Sequence, residues 1–180
     1  MKKLVFTCFS TCLLLSAFSG QAHAGDVTLK WGNLDDFTDV NPGNELKEPF
    51  RERMVKDFGR VFSKFAKKLP DGYQLDVMVN DVDLAGDVRP NMSSVAQIRL
   101  MTTIYWPRMK FHYELRNDKN EMISSGDEQL SDMGYLTNTR MTLVGATSFE
   151  FEEKMISDWF RKQTNAGVFP TKDMKAVVAK

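Results

Sequence analysis

Between residues 48 and 84 the apolar side chains change their period once, and that change fixes which layers this chain can build. Phe50, Met54, Phe58, Val61, Phe62, Phe65 and Leu69 recur at three- and four-residue steps, which puts them on one stripe of an amphipathic helix. Pro49 suits the first turn, where a missing N–H costs nothing. Leu69-Pro70-Asp71-Gly72 ends the run, because proline cannot continue the ladder and Asp-Gly favours a turn. From Tyr73 to Leu84 the step falls to two, and Leu75, Val77 and Val79 share one face of a strand. After Asn80 the parity flips to Val82 and Leu84, so a strand end or a β-bulge is expected near Asn80-Asp81.

The rest of the chain follows the same two periods. Val27 to Trp31 alternates and reads as a first strand, and polar Gly32 to Gly43 reads as a loop. Gly86 to Ser94, with Pro90, is expected to be a connection. Ile98, Leu100, Ile104 and Trp106 are then expected to form the buried face of the next strand. Pro107 interrupts pairing. Met109, Phe111, Tyr113 and Leu115 follow, alternating with Arg108, Lys110, His112 and Glu114. Arg116 to Asn120 is a polar turn, Glu121 to Leu130 a weaker strand, and Ser131 to Gly145 a loop with room for a short strand at Arg140 to Val144. Thr147 and Glu150 form a capping-box pair ahead of a second helix, with Phe151, Met155, Ile156, Trp159 and Phe160 on its stripe. Gly167 suits its C-terminal cap and Pro170 its outer limit. The pattern predicts an α+β fold: an antiparallel sheet of four to six strands with two amphipathic helices packed on one face, a two-layer sandwich. Residues 25–170 form a single domain, and residues 171–180 a loosely held tail.

Residues 1–24 read as a cleaved signal peptide: Lys2 and Lys3, an apolar stretch from Leu4 to Phe18, then Ala22-His23-Ala24 as an A-x-A cleavage site. A periplasmic location is therefore expected. Removing this leader takes away Cys8, Cys12 and His23, and leaves His112 as the one histidine. Cys/His structural zinc and Cys-His catalysis are thereby excluded. The loss of Lys2 and Lys3 leaves 22 bases against 24 acids, a net charge of −2, which gives no reason to expect nucleic acid as a partner. No later apolar run approaches the roughly 20 residues of a spanning helix, so no transmembrane segment is expected after cleavage.

Three constellations stand out. Asp81, Asp83 and Asp87 are the first, since two carboxylates at alternate strand positions and a third beyond Gly86 suit a hard cation such as Ca²⁺. An EF-hand is rejected, because Ala85 and Met92 occupy ligand positions. The plainer account is that these aspartates cap turns. The second is a basic stripe on the first helix, Arg53, Lys56, Arg60, Lys64 and Lys67, which suits an anionic envelope partner or simply a solvated face. The third is a candidate groove of Trp106, Arg108, Asp132 and Tyr135, set against ordinary packing. His112 sits on the polar side of its strand and reads as a surface residue. No cofactor beyond the possible Ca²⁺ is expected, and no catalytic residue can be named.

Several strings resemble a bacterial family known as domain of unknown function 3016: Trp31, Leu69-Pro70, Asp81-Val82-Asp83-Leu84-Ala85-Gly86, Pro107-Arg108, Asp132-Met133-Gly134-Tyr135-Leu136 and Trp159-Phe160. The resemblance covers nearly the whole chain after the leader. It implies a small exported protein without assigned activity and brings no site residues. The expected role is a non-catalytic binding or protein-interaction module of the cell envelope. A hydrolase using Asp81, Asp83 or Asp132 as acid and base, and a divalent-cation binder, are the competing classes.

Overall fold

Helix α1 (Lys47–Ala66) carries the chain from β1 (Asp26–Trp31) across to β2 (Gln74–Asp83), so these two strands run parallel, with Asp26 opposite Gln74 and Trp31 opposite Val79. The computed structural model describes residues 25–91, 95–137 and 149–172. The signal peptide expected at residues 1–24, the strand expected at Arg140 to Val144, Thr147 of the expected capping box and residues 173–180 lie outside the described residues.

After β2 the chain makes a small ribbon, β3 (Asp87–Pro90) with β4 (Gln97–Leu100), then returns to the main sheet through β5 (Arg108–Arg116) and β6 (Met122–Ser131), and ends in α2 (Glu150–Asn165). The main sheet has the order β1-β2-β5-β6 and the ribbon is separate from it. The α+β class and the two helices stand as expected, and the strand number falls within the range. The sheet is mixed rather than wholly antiparallel, because a strand–helix–strand crossover returns the chain in the direction it left.

Both helices cover one face. Phe111 of β5 meets Phe62 of α1 edge-on at 5.9 Å and Trp159 of α2 at 4.9 Å. The stripes named above are the buried ones: Phe50, Met54, Phe58, Val61, Phe62 and Phe65 on α1, and Met155, Ile156, Trp159 and Phe160 on α2. Beneath them lie Leu75, Val77, Val79 and Val82 of β2 and Met109 to Leu115 of β5 at alternate positions. The opposite face carries charge, with Asp76 opposite Glu114, and His112 opposite Asp127.

The parity flip at Asn80 is a bulge. Val79 pairs with Phe111 and Asp81 with Lys110, so Asn80 is the extra residue, and Val82 and Leu84 stay in the core. α2 closes in a Schellman motif, in which Val168 N–H bonds Gln163 O at 3.0 Å and Gly167 N–H bonds Thr164 O at 3.0 Å, with Gly167 at φ 73°. This turn sends Phe169 into the core, fully buried.

Two expectations fail at the ribbon. The stretch after Gly86 is a strand, not a plain connection. Ile98, Leu100 and Ile104 are also not a buried face, being 46%, 40% and 63% exposed. A two-stranded ribbon has one face to offer the body, and Arg99 takes it, since its guanidinium reaches Asp39 and the carbonyls of Asn41, Ala85 and Gly86. Ile98 and Leu100 therefore point outward. Trp106 is only half-buried, with Arg108 stacked on its ring at 4.5 Å.

Gly86 makes the turn from β2 into the ribbon at φ 83°, and a Cβ there would lie 2.8 Å from Met101 Sδ and 2.9 Å from Leu100 O. Gly86→Ala is expected to lower stability by about 1–2 kcal/mol from the left-handed backbone alone. A urea titration reads this, and an unchanged midpoint would contradict the turn geometry.

Candidate functional site

The structure gives each of the three aspartates its own partner. Asp81 accepts the Thr38 N–H at 2.8 Å and the Thr38 hydroxyl at 2.9 Å, and pairs with Lys110 at 3.1 Å. Burial pushes its carboxyl up, but the Thr38 donors and Lys110 together outweigh that and hold it below the usual range. Asp83 pairs with Arg108 at 3.4 Å, and burial raises its carboxyl. Asp87 pairs with Arg89 on the ribbon at 2.7 Å. Among the described residues no group of three acids or histidines is arranged to hold a metal ion.

The basic stripe is largely neutralised within the protein. Arg53 holds Glu45 through two bonds of 2.6 and 2.9 Å, Arg60 pairs with Asp57, and Lys64 reaches Glu153 at 3.4 Å. Lys56 and Lys67 are exposed. The groove residues go separate ways. Tyr135 is buried, its hydroxyl donating to Thr102 O at 2.8 Å and its ring edge-on to Phe151 at 4.8 Å. Asp132 binds Lys154 at 2.9 Å, and Arg108 stacks on Trp106. His112 lies on the open face with Nδ1 at 2.8 Å from Asp127.

A different site emerges where four elements meet. The loop after β1, the first turns of α1, the ribbon and the start of α2 enclose a cleft of about 290 Å³. Phe50, Leu84, Val88, Met101, Phe149 and Phe151 make its apolar walls. Two polar ties hold the ribbon against the loop. Arg99 bonds Asp39 Oδ2 and Asn41 O at 2.8 Å each, which clamps the ribbon to the loop. Asn44 exchanges both amide atoms with the backbone of Gln97, accepting its N–H at 2.6 Å.

Glu152 closes the inner end. It is 2% exposed, and its Oε1 accepts the Ala85 N–H at 2.8 Å. It sits at the apolar phase of α2, three and four residues before Met155 and Ile156, so the helix itself carries this carboxyl inward. Burial raises its pKa above the ordinary 4.5; the N–H groups of Ala85 and Glu152 and the charge of Arg99 oppose this in part, and Asp39 adds to the rise. An acid raised in the folded state binds protons there more readily than in the unfolded chain. It therefore supports folding most fully below pH 4.5, and that support is lost as the pH rises through the folded value. Glu152→Gln, which keeps an acceptor for Ala85, should thus gain stability relative to the parent as the pH climbs above 4.5. Thermal melts from pH 4 to pH 8 would show this, and a constant offset would refute it.

The sequence signal for this site is an acid on an apolar stripe, Glu152 in phase with Met155 and Ile156, whereas the more conspicuous aspartates lie elsewhere. A second and more open cavity of about 360 Å³ lies between the edge strand β6 and α2. There Lys154 holds Asp132 and Asp158 at 2.9 Å each.

No curated protein and no solved structure gives a significant match to the chain. Residues 25–162 match the family described as "Protein of unknown function (DUF3016)", a span that runs from β1 into the last turn of α2 and takes in every wall of the cleft. On that match, the chain belongs to the DUF3016 family.

Proposed function

We propose that the protein is exported to the periplasm and acts there as a non-catalytic binding module, holding a small ligand in the cleft closed by Glu152. The observation that carries this reading is the cleft itself. It has apolar walls, a few fixed polar groups and one buried acid with a raised pKa, the usual anatomy of a ligand site. Catalysis by paired aspartates draws no support from the site. Asp81, Asp83 and Asp132 each hold a base, and neither cavity is lined by two of them. The test is native mass spectrometry of the chain from Gly25 onward after exposure to a periplasmic extract. A retained small molecule that is lost when Val88→Trp fills the cleft supports the reading. No retained mass, or one indifferent to Val88→Trp, sinks it. Export is tested by cell fractionation with and without residues 2–24.

A protein partner is the second reading, favoured by the outward ribbon face. Ile98 and Leu100 are exposed there, and Val95 and Ile104 are exposed in the segments flanking β4. A photocrosslinker at Ile98 that captures one stoichiometric partner in cells would favour it, and crosslinks scattered over many proteins would not.

A further inference from the structure

The charges around the cleft balance only while Glu152 keeps its proton, and that condition points to a ligand class. Two guanidinium groups line it, and the terminal nitrogens of both are already bonded, while the buried Nε of Arg53 has no partner among the described residues. Arg53 is doubly bonded to Glu45, and Arg99 is held by Asp39 and by the carbonyls of Asn41, Ala85 and Gly86. Glu152 is different. It is buried, it is met by the N–H groups of Ala85 and of Glu152 itself, and no cation among the described residues lies within ion-pair distance of it. The charged groups facing it from the packed elements are Asp39 and Glu45 of the loop, Arg53 of α1 and Arg99 of β4, with Glu150 and Glu153 beside it on α2. Glu153 is turned to Lys64. With Glu152 ionised, the set of Arg53, Arg99, Glu45, Asp39 and Glu152 sums to one negative charge.

Building on the reading of the cleft as a ligand site, we infer that it selects a small molecule with a protonated amine on an apolar, ring-sized body. The ammonium pairs with the Glu152 carboxylate, and the body lies against Phe50, Phe149 and Phe151. An anion would find the terminal nitrogens of both guanidinium groups occupied and a buried acid in front of it. A neutral apolar molecule would leave Glu152 as it is. Only a cation supplies the counter-charge that an ionised Glu152 lacks. In the empty cleft burial holds the acid toward its neutral form, so the ammonium drives its proton off to solvent. Bound amine and carboxylate then form a neutral pair, and up to one proton is released for each ligand taken up.

The experiment uses three matched probes with the chain from Gly25 onward: 2-phenylethylamine, 2-phenylethanol and 3-phenylpropionate. Calorimetry is run in two buffers of different ionisation enthalpy, against the parent and Glu152→Gln. The expected result is that the amine binds best, releases protons, tightens as the pH rises through the Glu152 titration, and weakens on the order of tenfold or more in Glu152→Gln. The pH series on the parent needs no variant and stands even if Glu152→Gln folds poorly. Equal binding of alcohol and amine, insensitive to Glu152→Gln, overturns the amine inference and leaves the ligand site standing. Preferred binding of the carboxylate does the same. No binding by any probe, together with no retained mass from the extract, overturns both.

Discussion

Trp159→Ala should cost about 3–5 kcal/mol, the range for emptying a large aromatic site in a core that relaxes only in part. The size follows from where the ring stands. It is 4% exposed and meets Phe62, Phe111, Tyr113, Phe160 and Phe169 at centroid distances from 4.9 to 6.4 Å. Those five rings come from α1, β5, α2 and the segment after it, so a single truncation loosens every layer contact on that side. Trp159→Phe keeps a ring in the same place and should recover most of the loss. Urea unfolding followed by circular dichroism measures both variants. A loss under about 1 kcal/mol for Trp159→Ala would mean that this cluster is not where the layers are joined.

Arg99→Ala should be the next most damaging change, at about 2–3 kcal/mol, since its hydrogen bonds carry a charge and tie together groups that have little else in common. Its side chain is 20% exposed, as is that of Asp39, so solvent screens the pair only in part. Without it the ribbon loses its bonds to Asp39, Asn41, Ala85 and Gly86. Amide exchange should then quicken over residues 87–90 and 97–100 while the main sheet holds its protection. Arg89→Ala on the outward face of the same ribbon is the control. Its bonds to Asp87 and to the Tyr105 hydroxyl are exposed, so the unfolding midpoint should move far less than for Arg99→Ala. Equal behaviour of the two variants would show that the clamp contributes nothing.

The helices, the core strands and even the bulge could be read from the chain because one period governs each of them. Asn80 is the clear case. A single unpaired residue shifts the numbering of every later side chain without moving any of them to the other face, and an alternation pattern records that directly. The ribbon could not be read in the same way. Ile98 and Leu100 alternate as a buried face would, yet the choice between the two faces fell to Arg99, whose partners come from a loop some 60 residues earlier. The parallel pairing of β1 was hidden for a related reason, since alternation says which residues are buried and not which way a neighbour runs. The site divided along the same line. Asp81, Asp83 and Asp87 drew notice by their spacing, but spacing does not reveal that Thr38, Lys110, Arg108 and Arg89 already occupy them. Glu152 was legible as the one acid in phase with Met155, Ile156 and Trp159.

The crossover that makes β1 parallel to β2 also sets an order of events for a chain that emerges N-terminus first. Asp26 to Trp31 come out early, but their partners, Gln74 to Val79, follow only after the whole of α1. Strands β5 and β6, by contrast, join across a short turn and can close as soon as they appear. The first strand is thus the one that waits longest for its partner, and until then its pairing edge is open to any other extended segment. A holding chaperone that acts on this protein would be expected to grip it there, during the interval in which some fifty residues separate a strand from its neighbour.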